Sequence, residues 1–141
     1  MRESLRAGLT GTFRYRVPPT KTVPHIYEEA PDFQLMPDVL ATGYLVALCE
    51  WAAIEVLKPH LDWPREQSLG THVDLSHLAA TPPGLTVEVT ATVTAVEGRK
   101  VVFAIQAHDG VDAICEGTHE RHVIDAARFV AKVGQKAGAT A

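Results

Sequence analysis

Residues 39–57 read VLATGYLVALCEWAAIEVL, and this stretch decides the fold. From Val39 to Ile54 it carries apolar or small residues on every side of a helical wheel, and Glu50 is the single charge. A helix without a polar face has to be enclosed. The only wrapper the rest of the chain offers is a sheet. Asp38 stands where an N-cap would be and Pro59 stops the helix after Lys58, so the spacing predicts a helix over 39–57.

Upstream, Phe13, Tyr15 and Val17 alternate with Arg14 and Arg16, a strand closed by Pro18-Pro19. Between Lys21 and Pro37 the prolines 24, 31 and 37 punctuate a partly apolar loop with at most short helical turns. Downstream, strands are expected at Thr71–His77, at Val87–Ala95 with its clean alternation, and at Val101–Ala107. Asp109-Gly110 signals a hairpin into a last strand from about Asp112 to Ile124. A short helix and a flexible Gly/Ala/Lys tail are expected over about 126–141. One strand, one enclosed helix and an antiparallel meander predict an α+β class with an antiparallel sheet wrapped around one long central helix, a pattern that resembles the hot-dog fold.

The 141 residues, 46% of them hydrophobic and 21% charged, suit one domain spanning 1–141. Such a domain fills its own core and leaves little room for a large pocket, which directs attention to the boundary between two copies. A formal net charge of −4 gives no support to a nucleic-acid surface. The apolar run broken by Glu50 and the polar start, Met1 to Arg6, argue against membrane and secretory segments. The two cysteines, Cys49 and Cys115, read as buried free thiols, and a cytoplasmic location is expected.

Glu50 is the chemical anomaly, because an ionised carboxylate is costly to bury without partners. It is either solvated at one edge of the helix or faces a cleft as base or nucleophile. Thr42 lies near the helix start, where unpaired N–H groups favour negative charge. It is eight residues from Glu50, about 12 Å of continuous helix. If both serve one reaction, the helix starts later or a partner subunit supplies one of them. His77 closes a strand just before Ala79-Ala80-Thr81-Pro82-Pro83-Gly84, where a side chain can reach a cleft. His119-Glu120-Arg121-His122 is the only metal-like run, but its histidines point to opposite faces of a strand, so no metal is expected. Nucleophile elbows, phosphate loops and dinucleotide fingerprints are absent.

Met36-Pro37-Asp38-Val39-Leu40-Ala41-Thr42-Gly43-Tyr44 with Glu50-Trp51, Ser68-Leu69-Gly70-Thr71, His77, and Gly117-Thr118-His119-Glu120-Arg121 together resemble the fluoroacetyl-CoA thioesterase family of the hot-dog superfamily. The resemblance extends from Val17-Pro18-Pro19 to Gln135-Lys136. It implies a cytoplasmic homodimer that hydrolyses a short acyl-CoA at the subunit interface. Its catalytic residues would be Thr42, Glu50 and His77. Gly70 and Arg121 would contact the substrate, Gly70 in an oxyanion role and Arg121 at the phosphate or pantetheine end. No separate cofactor is implied, coenzyme A being part of the substrate. The family's aromatic cover uses two phenylalanines before the helix; Phe33 keeps one, Met36 stands at the other, and Leu40 stands at a further aromatic position. The resemblance therefore extends to the reaction more firmly than to the choice between fluoroacetyl and acetyl groups. A non-catalytic acyl-CoA binding or sensing domain and an enoyl-CoA hydratase are the other readings on this fold. Turnover against binding alone separates the first, and loss of enoyl absorbance the second.

Overall fold

The computed structural model describes residues 1–139. Five strands, β1 (Thr10–Arg16), β2 (Glu66–His77), β3 (Thr86–Glu97), β4 (Lys100–His108) and β5 (Ala113–Asp125), form one sheet in the order β1-β3-β4-β5-β2. All four pairings are antiparallel. A single-turn helix α1 (Pro31–Gln34) and two short 3₁₀ turns occupy the loop before the long helix α2 (Thr42–Leu57), and α3 (Ala126–Gly138) follows β5.

Leu45, Leu48, Cys49, Ala52, Ala53, Val56 and Leu57 of α2 are buried. They pack with the inward residues of the sheet: Val87, Val89, Ala91 and Val93 of β3, Val101, Phe103 and Ile105 of β4, and Ile114, Cys115 and Val123 of β5. The period-2 alternation of β3 and β4 is therefore the alternation of core and outer face. Although α2 is apolar all round, one side of it is incompletely covered. Gly43, Ala47 and Trp51 are exposed there, and Val46, Glu50 and Ile54 are half-buried. Trp51 lies toward the β1 edge, on Phe13 and Tyr15, whereas Glu50 meets the opposite edge strand β2 at Gly70, and β2 exposes Leu69 and Val73. At 16 residues α2 is too short to cross a membrane.

The helix starts at Thr42, three residues later than the spacing predicts, and its N-cap is Ala41 without a side-chain bond, so Asp38 is not the cap. Residues 39–41 are spent on tertiary backbone bonds. Val23 donates to the Val39 carbonyl, Leu40 to Thr81 and Ala41 to Lys21. Those bonds hold the segment extended and stitch the helix entrance to the loop that follows His77.

β2 starts at Glu66, five residues before the expected Thr71, and its pairing with β5 slips between Gly70 and His72. That β-bulge matters because Gly70 and His77, an odd number of residues apart, would face opposite sides of a regular strand. The register pairs Gly70 with Arg121 and His77 with Cys115, both inward residues of β5. The bulge thus brings two inward sets into one face.

At the C-terminus α3 is longer than a short helix and runs to Gly138, capped by the Asp125 side chain at Arg128 N. Thr140 and Ala141, the end of the expected tail, lie outside the described residues.

The Asp109 turn fastens the far end. Asp109 is buried and accepts from Thr81 Oγ1 at 2.8 Å, Val111 N at 3.0 Å and Asp112 N at 2.8 Å. Burial alone would push its carboxyl up, but these bonds outweigh it and hold the group below the usual carboxylate value. Asp109→Ala is expected to cost about 2 kcal/mol, lowering Tm by roughly 6 °C at neutral pH. Because the folded pKa is depressed, this stabilisation is complete above the unfolded value of about 3.9 and drains away as pH falls through the folded one. Calorimetry against pH checks it: the two melting curves should converge only on the acid side.

Candidate active site

Glu50 sits in the middle of α2 with its side chain 38% exposed, and its Oε1 accepts from Arg121 Nη1 at 3.2 Å. Arg121 is 3% exposed, and every nitrogen of its guanidinium is engaged. Nε donates to Ser68 Oγ and Nη2 to the Ser68 carbonyl, both at 2.8 Å. The remaining contact of Nη1, at 3.1 Å, is His119 Nε2. Burial draws the guanidinium down from its ordinary pKa and the Glu50 charge opposes this, leaving it a cation. A buried arginine with its donors spent on Ser68, His119 and Glu50 is an internal ion-pair partner. With 3% of its side chain exposed it offers a phosphate little access, so the phosphate-end role implied for Arg121 does not match this geometry.

Gly70 is opposite Arg121 in the ladder. A Cβ built there would collide with Glu50 Oε1, lie 3.2 Å from His119 Cε1, and lie 3.4 Å from Arg121 Nη1. The missing side chain makes room for the carboxylate, a more direct requirement than the oxyanion role expected of it.

The second constellation lies at the N-terminal end of α2. Thr42 Oγ1 and His77 Nδ1 are 2.8 Å apart and share one hydrogen. Burial holds His77 below the usual histidine pKa, opposed by a backbone hydrogen bond at Ala79. Its second nitrogen, Nε2, is buried and has no hydrogen-bond partner among the described residues. A buried polar atom left open marks a place where another group belongs.

The structure therefore brings Thr42 to His77 and Glu50 to Gly70 and Arg121, and keeps the two groups apart. A later helix start does not explain the spacing of Thr42 and Glu50, since both lie on α2. Along β2, Gly70 and His77 are separated by roughly 20 Å of strand. Phe33 packs on Tyr27 with ring centroids 6.0 Å apart, and Met36 is exposed; both belong to the segment that enters α2 at its Thr42 end.

Two residues of this region escape sequence reasoning. His119 is buried, and Ser68 holds the guanidinium in place. Their signal was polarity recurring every second residue on inward positions of β5 and β2, readable only once the phase of each strand is known. Cys49 and Cys115 are free and buried, with sulfurs 4.0 Å apart. The hydrogen bond to Cys115 and burial push the Cys49 thiol up, which keeps it from acting as a nucleophile. Among the described residues no three histidine, cysteine or acidic side chains group as a metal site.

A five-stranded antiparallel sheet around a long helix is the hot-dog fold of the thioesterase superfamily. A superfamily member from Thermus thermophilus matches it with a TM-score of 0.83 at 27% identity, over 96% of each chain. The chain belongs to the fluoroacetyl-CoA-specific thioesterase family, whose model matches residues 19–127. It is 52% identical to the fluoroacetyl-CoA thioesterase of Streptantibioticus cattleyicolor over 136 residues, 96% of this chain and 97% of that one. A solved fluoroacetyl-CoA thioesterase structure, a threonine-to-serine variant in complex with acetyl-CoA, has a TM-score of 0.91 at 52% identity and covers 94% of this chain and 98% of its own.

Gly70→Ala tests the packing of the Glu50 group. The colliding atom is the end of a flexible side chain. The variant should therefore keep its Tm within about 2 °C while the carboxylate swings off Arg121. A crystal structure of the variant reads this directly, and an unmoved Glu50–Arg121 contact contradicts it.

Proposed function

We propose that the protein is a short-chain acyl-CoA thioesterase, acting on fluoroacetyl-CoA or a similar small acyl thioester, and that its active site is completed by a second copy of the chain. The observation that carries this reading is the open His77 Nε2 at the N-terminal end of α2 and the Arg121-held Glu50 at its middle. Two features favour an antiparallel pairing of copies. The edge strand β2 exposes Leu69 and Val73, and where α2 meets it, at Glu50 over Gly70, Glu50 and its helical neighbours Val46 and Ile54 are only half-buried. Pairing two β2 edges about the segment between Gly70 and His77 sets the His77 end of one chain against the Gly70 end of the other. Each dimer then holds two equivalent composite sites.

In such a site Glu50 delivers an oxygen to the thioester carbonyl, as base for water or as attacking carboxylate. Arg121 holds Oε1, which leaves Oε2 toward the substrate. His77, steadied by Thr42 at Nδ1, manages the proton at Nε2 as the carbon–sulfur bond breaks and the CoA thiolate leaves. Water either adds to the carbonyl directly or hydrolyses the mixed anhydride left on Glu50 after the thiolate departs, so that both routes end in the free acid, CoA and a regenerated carboxylate, and no further cofactor takes part. Phe33 and Met36 stand at the Thr42 end as the cover over the acyl group. The free, buried thiols suit a reducing compartment, the cytoplasm.

Purified protein should release CoA thiol from acetyl-CoA or fluoroacetyl-CoA, and Glu50→Gln and His77→Ala should each lower kcat about 100-fold or more. Tight binding of acyl-CoA without turnover across chain lengths would instead indicate a binding domain. The pH profile carries a sign. His77 works as the neutral ring and its pKa is depressed, so activity should persist as pH falls through about 6.5 and be lost only below it. An acid limb centred above that value contradicts the assignment.

A further inference from the structure

His119 is a buried histidine that the proposed chemistry does not use. Its hydrogen bonds nevertheless define its state. Nδ1 lies 2.8 Å from the carbonyl oxygen of His72. A carbonyl only accepts, so Nδ1 carries the hydrogen. At 3.1 Å from Nε2 stands Arg121 Nη1, which only donates. Nε2 must therefore present its lone pair, and the ring is neutral with one tautomer selected by its two neighbours.

A core position here would need only an apolar ring or a leucine, since the imidazole already stacks on Phe103 with centroids 6.4 Å apart. What the imidazole adds is an acceptor for the one guanidinium nitrogen that also holds Glu50. Nη1 has two hydrogens; one goes to the carboxylate and the other to the imidazole. Ser68 fixes the far side of the same plane. The His72 carbonyl that orients the ring lies at the β2 bulge, where the ladder to β5 slips. Gly70, at the same bulge, leaves the space in which Glu50, His119 and Arg121 converge.

We propose that His119 is a positioning residue for the thioesterase reaction: in its neutral form it holds Arg121 Nη1, and through it the Glu50 carboxylate, in the orientation the reaction needs. The inference rests on the assignment of Glu50 to the reacting carbonyl. Protonation of Nε2 would turn acceptor into donor against Nη1 and place two buried cations side by side, so it releases the guanidinium and with it Glu50. The charged and titratable groups around the ring are Arg121 and Glu120 on β5 and Glu50 on α2. The β2 contact is the His72 carbonyl. Burial favours the neutral ring and Arg121 adds to this, while the His72 bond and the two glutamates oppose it.

The test uses the full-length enzyme and acetyl-CoA. His119→Leu keeps the volume and removes the acceptor; its kcat should fall at least about ten-fold with KM changed less than about three-fold. His119→Gln offers a neutral donor and acceptor that does not titrate, and should restore most of kcat. The pH profile adds a readout that a packing role would not move. The acid limb of wild type should be steeper than that of His119→Gln by one proton, the one that His119 takes up. A leucine variant with wild-type kcat, a glutamine variant no better than leucine, or equal acid slopes would each overturn the proposal. If the leucine variant does not fold, the slope of the glutamine variant decides. Absence of hydrolysis by the wild type itself would instead defeat the functional reading on which this rests.

Discussion

A carboxylate placed halfway along a largely apolar helix is the constraint on which the rest of this structure depends. The helix has to lie against the concave side of the sheet because nothing else covers its hydrophobic residues. Glu50 is then carried to the margin of the core, where it needs a cation with no competing partners. Arg121 supplies one, and being buried it in turn needs Ser68 and His119 to take its other hydrogens. The chain of demand runs from one residue on α2 to three on two strands. It ends at Gly70, where any side chain would occupy the carboxylate's place.

The bulge in β2 is the second device. A regular strand cannot present Gly70 and His77 to the same side, and without the slip one of the two would point into solvent. With it, one face of the edge strand carries both groups that border the candidate site. They remain at opposite ends, because strand and helix rise too far between them for one chain to close the gap. An uncovered edge strand beside an uncovered strip of α2 suits a second copy arranged antiparallel. The 46% hydrophobic content then serves an interface as well as a core.

Much of this was legible before any coordinates. Alternation located β3 and β4 because their inward residues are nearly all apolar, and the lone charge in residues 39–54 singled out Glu50. What stayed hidden was tertiary. The late start of α2 depends on backbone bonds from Val39, Leu40 and Ala41 to segments distant in sequence, which leave no local mark. The early start and bulge of β2 break the alternation that would have revealed the strand. Arg121 reads in the sequence as a phosphate or pantetheine contact, and its ion-pair role shows only once Glu50 stands beside it. His119 looked like half of a poor metal pair, since its meaning lies in which of its nitrogens accepts.

The central claim, that two chains share each active site, is tested most directly by mixing two damaged chains. Glu50→Gln and His77→Ala subunits, carrying different tags and co-expressed, can be isolated as a heterodimer. A composite site pairs Glu50 of one chain with His77 of the other, so one of the two sites in this heterodimer is intact and the other doubly damaged. Shared sites therefore predict about half of the wild-type rate of CoA release, although each variant alone is inactive. A purified heterodimer as inactive as its parents would show that each chain builds its site alone.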